Sequence, residues 1–265
     1  MRDTVRNLLY DHPEYYESLY PEPHDETPSM CRRIFARFLK TPPRSLLDVG
    51  CGTGRDLRSL RKDCPDCVGV DYLSQMIQYA KSRSNNIQFV VGDMRSFRLG
   101  RTFDAVSCFG SAILYALTND ELDQALGTFA AHCHKGSLLI LDMRNAAGFL
   151  VDGFKSRIEG DVDSAGLTAH YVAEHTIDGR RQLLIRKRTW QFADGRAEKD
   201  YCEYRMLFPQ EIAYLLSSHG FAILGMYDNM HLKDTDFSGS TMYVVAVYNA
   251  PSNLLLQPTP ASGRG

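Results

Sequence analysis

The stretch Leu46-Leu47-Asp48-Val49-Gly50-Cys51-Gly52-Thr53-Gly54 is an apolar run that meets an acid and then three glycines at alternate positions. Glycines between a strand and a helix let the backbone approach a ligand closely. A dinucleotide loop would read Gly-x-Gly-x-x-Gly, with pyrophosphate against the helix N-terminus. Here the third glycine comes one residue early, at Gly54, and Arg55 stands where the dinucleotide glycine would be. Asp48 puts a carboxylate two residues ahead of the loop. That arrangement suits a ligand ending in an ammonium and a carboxylate: the acid meets the ammonium, directly or through water, and loop N–H groups meet the carboxylate. The methionyl end of S-adenosylmethionine (SAM) carries both groups.

Two further acids follow at the ends of later apolar runs. Asp71 can accept both hydroxyl protons of a ribose, and Tyr72 beside it can cover one adenine face. In Gly92-Asp93-Met94, Asp93 can accept from an adenine amino group while the Met94 backbone N–H donates to the ring. With Cys51 in the loop and Phe109 after the fourth apolar run, the expected cofactor set is Asp48, Gly50, Cys51, Gly52, Asp71, Tyr72, Asp93, Met94 and Phe109. The expected cofactor is SAM, leaving as S-adenosylhomocysteine (SAH), with no metal.

These residues need a frame. Apolar runs at 45–49, 67–70, 87–91, 103–108 and 138–141 read as strands. Helices read between them: 55–61, one after Ser74 as cap, and one opened by the capping box Thr118-x-x-Glu121. The last buries Leu122, Ala125, Leu126 and Phe129 at i, i+3, i+4, i+7. Strands alternating with helices of this length argue for a parallel sheet covered on both faces. A helix at 27–39 precedes them. After Asp142 the pattern changes. Segments 170–176, 182–192 and 198–207 read as strands, with Asp178-Gly179 and Asp194-Gly195 as hairpin signals between them. Arg186, Lys187 and Arg188 lie in the middle strand and read as a solvated face rather than a substrate-anion site. Pro209 opens a helix that Gly220 ends, and 221–227 and 242–248 are closing strands.

Composition narrows the partners. The 265 residues carry a net charge of −2, 44% hydrophobic and 23% charged residues. No basic field favours nucleic acid, no polybasic block favours a membrane surface, and no apolar run reaches the roughly 20 residues that span a bilayer. Seven cysteines, an odd number, read as reduced thiols in a cytoplasmic protein. Cys64-Pro-Asp-Cys67 lacks a second pair at ligand spacing and reads as buried thiols, and His132-Cys133-His134 reads as a helix end.

These residues resemble the class I SAM-dependent methyltransferases over roughly 45–142 and again at the closing strands. Within that superfamily the chain resembles the amino-sugar N,N-dimethyltransferases of antibiotic biosynthesis and secondary metabolism. The likeness rests on Gly92-Asp93-Met94-Arg95-Ser96-Phe97, Phe103-Asp104-Ala105-Val106, Asp120-Glu121-Leu122 and the antiparallel insertion. The resemblance implies an α/β fold: a Rossmann-like, seven-stranded, mostly parallel sheet with helices on both faces, plus an antiparallel β insertion. The division expected is a helical flap over the active site at 1–41, a SAM-binding core at 42–145 and 208–250, the substrate insertion at 146–207, and a disordered tail at 251–265.

The resemblance also implies a site roofed by the flap and the insertion. Tyr15, Tyr16 and Tyr20 are candidates for that roof. Ser111-Ala112-Ile113-Leu114-Tyr115 loosely matches the relatives' Ser-Ile-x-His/Tyr-Leu segment and places Tyr115 toward the acceptor, so the catalytic candidates are Tyr16, Tyr20 and Tyr115. No Asp/Asn-Pro-Pro-Tyr sequence is present, which argues against methylation of nucleic-acid bases. The expected reaction is methyl transfer to an amine of a small molecule. An O- or C-methyltransferase is the runner-up; His175, His219 or His231 would be its base. A SAM-binding regulatory or scaffold protein is the alternative of another class. A nicotinamide-dependent dehydrogenase has the glycine spacing against it. A homo-oligomer is compatible with all of these.

Overall fold

Neighbouring residues in the central strands face opposite sides, and both sides are buried. Leu47, Val106, Leu139 and Val244 enter one apolar cluster, whereas Leu46, Ala105, Ile140 and Val245 enter the other. This period of two, apolar on both sides, is what a sheet sandwiched between helices requires. The computed structural model describes residues 7–19, 25–150, 154–164 and 166–249. Tyr20 and the tail at 251–265 lie outside the described residues.

The elements run α1 (Leu8–Asp11), α2 (Pro13–Leu19), α3 (Glu26–Phe38), β1 (Ser45–Val49), α4 (Arg55–Leu60), β2 (Asp66–Asp71), α5 (Ser74–Arg83), β3 (Gln88–Val91), β4 (Phe103–Cys108), α6 (Asn119–Ala131) and β5 (Cys133–Arg144). After β5 come β6 (Arg157–Ser164), β7 (Leu167–Asp178), β8 (Leu183–Phe192), β9 (Ala197–Arg205), α7 (Pro209–Ser218), β10 (Phe221–Tyr227) and β11 (Thr241–Tyr248). The main sheet has seven strands in the order β10-β11-β5-β4-β1-β2-β3. All neighbours are parallel except β11, which runs antiparallel to both β5 and β10. Helices α3, α4 and α5 pack on one face through Met30, Ile34, Leu57, Leu60, Ile77 and Ala80. Helices α6 and α7 pack on the other through Leu122, Leu126, Phe129, Ile212 and Leu216. Each such buried Leu, Ile, Met or Phe side chain stabilises the fold by about 1.5–3 kcal/mol.

The Rossmann-like sheet expected from the sequence is therefore present, and so is the capping box. Glu121 N–H donates to Thr118 Oγ1 at 3.2 Å, while the Glu121 carboxylate accepts the Thr118 N–H at 3.2 Å. Ser74 is not a cap. It is the first residue of α5, behind Leu73, and the Leu73 N–H donates to Asp71 Oδ1 at 2.8 Å.

The insertion is an antiparallel sheet of four strands, β6-β7-β8-β9. The sequence shows three; β6, Arg-Ile-Glu-Gly-Asp-Val-Asp-Ser, is mostly exposed and too polar to read as a strand. The solvated face expected for residues 186–188 holds only for Lys187. Arg186 and Arg188 are buried at 9% and 8% exposure. Their strand alternates, and these two sides point inward with Trp190.

The flap divides. Helix α3 is embedded in the core cluster beneath the main sheet. Helices α1 and α2 instead pack Leu8, Leu9, Tyr15, Tyr16 and Leu19 against Val162, Trp190 and Phe192 of the insertion. Asn7 caps α1, accepting the Leu9 N–H at 3.2 Å, and the same Oδ1 accepts from Arg188 at 3.0 Å.

Candidate active site

The strand order reverses direction between β1 and β4, which leaves a crevice beyond their carboxyl ends. A cleft of roughly 740 Å³ opens there. Its floor is Val49, Gly50 and Gly52 after β1, with Phe109, Gly110 and Ala112 after β4. One side is Asp71, Tyr72, Leu73 and Met76 after β2, with Gly92 and Met94 after β3. Tyr10, Tyr16 and Tyr115 close the other side.

The glycine loop is shaped by backbone needs. Gly50 has φ +77°, and a Cβ there would fall 2.6 Å from the Ala112 Cβ. Gly52 has φ +53°, and a Cβ there meets nothing within 4 Å, so the space before it is the cleft itself. Most N–H groups of the loop are already engaged. Those of Gly50 and Cys51 donate to Val70 O, that of Gly54 to Cys51 O, and that of Gly52 to Asp71 Oδ2 at 2.8 Å. The sequence expectation that these donors await a ligand carboxylate is thus not met at those four positions in this structure.

Asp71 ties the loop to β2. Its two oxygens accept from Gly52 and Leu73, and the carboxylate lines the cleft. Burial raises its carboxyl above the ordinary range, and the backbone N–H donors oppose that shift. Asp48 lies behind the cleft, 3% exposed, accepting from Ser107 Oγ at 2.8 Å. Burial first, then the nearby charge of Asp56, pushes its carboxyl well up. Asp142, at the end of β5, accepts the Ser111 N–H at 3.0 Å and is pushed up to about 6, chiefly by burial. The site thus holds several carboxyl groups whose charge the folded chain disfavours. A ligand cation would restore it.

Of the expected cofactor residues, Gly50, Gly52, Asp71, Tyr72, Met94 and Phe109 line the cleft. Asp48 stands one residue behind that wall. Cys51 turns away into the core cluster with Phe89. Asp93 sits between two lining residues, but its carboxylate is held by Arg95 at 2.5–3.1 Å, which keeps it below the ordinary carboxylate range. Met76 and Leu73 also line the cleft.

Tyr16 and Tyr115 both line the cleft, and Tyr15 does not: its ring stacks on His12 at 4.8 Å. Sequence reasoning missed Tyr10. The Tyr115 hydroxyl donates to the Tyr10 hydroxyl at 3.1 Å and lies 3.5 Å from that of Tyr204. Burial raises Tyr10, Tyr115 and Tyr204 above the usual phenol range, so all three stay neutral. Among the described residues no histidine lines the cleft. His219 caps α7 beside Asp123, His231 is exposed, and His175 belongs to the insertion. Among the described residues no cluster of three or more His, Cys, Asp or Glu can hold a metal ion.

The residues present fit SAM. The Asp71 carboxylate lines the cleft, Tyr72, Leu73, Met76 and Met94 give an apolar slot, and open space lies before Gly52.

Comparison with known proteins agrees with this geometry. Residues 46–136 match the family of methyltransferase domains. Over 138 residues the chain is 34% identical to the dTDP-3-amino-3,4,6-trideoxy-alpha-D-glucopyranose N,N-dimethyltransferase of Streptomyces venezuelae, covering 51% of this chain and 58% of that one. Over 135 residues it is 34% identical to the dTDP-3-amino-3,6-dideoxy-alpha-D-glucopyranose N,N-dimethyltransferase of Streptomyces fradiae, covering 51% and 52%. The chain thus spans little more than half the length of these curated relatives. Among solved structures it superposes on the SAM-bound amino pentose methyltransferase of Micromonospora echinaspora, involved in calicheamicin biosynthesis, with a TM-score of 0.71 and 25% identity over 93% of this chain and 99% of that one. Residues 46–136, within a Rossmann-like sheet, are thus similar to methyltransferase domains, and the chain resembles the SAM-dependent sugar N-methyltransferases.

Proposed function

We propose that this chain transfers a methyl group from SAM to an amine nitrogen of a small-molecule natural product or its precursor, with an amino sugar as the first acceptor to test. The observation that carries the reading is the pairing, in one cleft, of Asp71 and the glycine loop with the three tyrosines Tyr10, Tyr16 and Tyr115. SAM supplies a methyl group on a sulfonium; its C–S bond breaks as the N–C bond forms, leaving SAH and a methylated amine that sheds its proton to solvent. Asp71 holds the ribose hydroxyls, and Tyr72 and Met94 enclose the base, with Asp93 and Cys51 supporting the wall from behind. Asp48 neutralises the ammonium. The tyrosine rings favour a cationic centre by about 0.5–2 kcal/mol, and Tyr16 and Tyr115 position the acceptor, with Tyr20 proposed to complete the roof.

The proton inventory favours nitrogen. A hydroxyl acceptor needs a base, whereas an amine need only arrive unprotonated. Among the described residues, the titratable groups lining the cleft are Asp71 and four tyrosines, of which burial keeps Tyr10 and Tyr115 neutral. Holding acceptor and donor in line can supply about 7–11 kcal/mol of the barrier. No described helix is long and apolar enough to cross a membrane, and the seven free thiols support a reducing, cytoplasmic setting. The test is incubation with SAM and matched amines, phenols and carbon acids, read by mass spectrometry. Methylation of amines, amino sugars first, is expected. Turnover of phenols alone would move the assignment to oxygen, and tight SAM binding without any turnover would make the chain a sensor or scaffold.

A further inference from the structure

The turn after β3 carries an arginine that the cofactor reading leaves unused. Gly92 and Met94 line the cleft, and Arg95 follows them in the chain. Its guanidinium lies between two carboxylates. Nε donates to Asp93 Oδ1 at 2.9 Å and Oδ2 at 3.1 Å, and one terminal nitrogen donates to Oδ2 at 2.5 Å. The other terminal nitrogen donates to Glu121 Oε1 at 2.7 Å. The second oxygen of Glu121 accepts the N–H groups of Leu117 and Thr118, at 2.8 and 3.2 Å. Those two residues follow the turn Ala112–Tyr115, which brings Ala112 and Tyr115 to the cleft. A chain of charge-assisted hydrogen bonds therefore runs from the wall at Gly92–Met94 to the tyrosine side. The side chains of Asp93, Arg95 and Glu121 are 18% to 27% exposed, so solvent screens this bridge less than a pair standing in open water.

The surrounding fold is held without this bridge. Residues 97–99 reach α6 on their own: the Phe97 ring stacks on His132 at 4.6 Å, the Leu99 N–H donates to His132 Nε2 at 3.0 Å, and Arg98 donates to Thr128 Oγ1 at 2.8 Å. The turn after β3 is closed by its own backbone, with the N–H groups of Ser96 and Phe97 donating to Asp93 O at 2.9 Å. Thr118 and Glu121 cap α6 by their own reciprocal bonds. What Arg95 adds is a link between the two sides of the cleft. A planar fork can serve two carboxylates in fixed directions, which an ammonium cannot. The same fork, with the Arg95 N–H at 2.9 Å, occupies both oxygens of Asp93.

We propose that Arg95 is a positioning residue that couples the two sides of the cleft. A cofactor seated against Gly92 and Met94 steadies Asp93 and, through Arg95 and Glu121, the turn that bears Tyr115. The acceptor then meets an ordered site once SAM is in place. Ordering one side lowers what must be ordered when the second ligand binds, which gives positive coupling without a change of shape. The coupling is reciprocal, so a bound acceptor tightens the cofactor equally. The acceptor's part in this rests on the proposed methyl transfer; the effect of the cofactor on the turn does not.

Amide exchange on the full chain tests it. Neither Leu117 nor Thr118 lines the cleft, so protection at these amides reports the bridge rather than direct contact. Saturating SAH should slow their exchange roughly threefold or more. In Arg95→Met that slowing should vanish while slowing at Gly50–Gly54 persists. Glu121→Gln keeps an oxygen for the two N–H groups and drops the charge. It should also abolish the slowing, and it tests the link from the other end where Arg95→Met does not fold. SAH affinity should stay within about threefold in Arg95→Met, because Asp93 is then released to accept from the adenine amino group. With an amine that the parent methylates, kcat/KM for the amine at saturating SAM should fall about tenfold in Arg95→Met. General loosening of the fold would lower SAH affinity as well. No slowing at Leu117 and Thr118 in the parent, the same slowing in both variants, or an unchanged kcat/KM for the amine overturns the proposal. If SAH slows these amides through Arg95 but no amine is methylated, the proposed reaction fails and the coupling stands.

Discussion

The Tyr115 hydroxyl donates to the Tyr10 hydroxyl across 3.1 Å, joining the turn after β4 to the first described helix. Their rings meet edge to face, 6.2 Å apart. The pair fixes α1 over the cleft and presents oxygens there, and burial keeps both phenols neutral. Tyr10→Phe and Tyr115→Phe are each expected to lower kcat/KM by roughly 3- to 10-fold, the worth of one hydrogen bond. The double variant should lose little more than the worse single one, because the pair acts as a unit. Additive losses in a double-mutant cycle would show that the hydroxyls act separately. The rate should show no limb from either tyrosine up to about pH 10, its ordinary range.

Asp71 ties the glycine loop to the end of β2. Its oxygens accept from Gly52 and Leu73, both at 2.8 Å, and in the proposed reading also from two ribose hydroxyls. Asp71→Asn converts one acceptor oxygen into a donor. Hydrogen bonds to a charged group contribute about 1.5–3 kcal/mol, so SAH affinity measured by calorimetry should fall roughly 10- to 100-fold. Unchanged affinity would remove Asp71 from the cofactor site.

Gly50 carries two separable constraints. Its φ of +77° disfavours any side chain, and an added Cβ would sit 2.6 Å from Ala112. Gly50→Ala should destabilise the fold by about 2–5 kcal/mol in urea unfolding, combining the left-handed backbone cost of about 1–2 kcal/mol with overpacking of about 1–3 kcal/mol. Adding Ala112→Gly removes the contact but not the backbone cost, so it should restore only part of the loss. Full recovery would mean that the dihedral costs nothing here.

The cofactor half of the cleft was legible because its residues sit at strand ends, where period-two patterning and glycine spacing fix both register and direction. Gly50, Gly52, Asp71 and Met94 follow from that alone. The tyrosine-lined half, proposed for the acceptor, was not, because its residues come from elements without a strong period. Tyr10 lies in a four-residue helix, and β6 is mostly exposed and polar. Arg186 and Arg188 misled because charge ordinarily marks a solvated face. Their burial depends on Asp200, twelve residues beyond Arg188 and opposite it only once β8 and β9 pair. A carboxylate among the apolar residues of a neighbouring strand was the available signal.

Asp142 gives the fold a pH dependence of defined sign. Burial pushes its carboxyl up to about 6 from an ordinary 3.8, and only the N–H groups of Gly110 and Ser111 oppose that. The folded state therefore holds this proton more tightly than the unfolded one. The stability it contributes is fully present below about pH 4 and is lost as pH rises through about 6. The gap amounts to about 1–3 kcal/mol, allowing for partial solvent contact. Asp142→Asn keeps an acceptor for Ser111 and removes the charge. Without SAM it should therefore raise Tm at pH 8, by roughly 2–4 °C for each kcal/mol in a domain of this size. At pH 4 the variant and the parent should melt together. An equal shift at both pH values would show that packing, not the buried charge, is what the substitution changes.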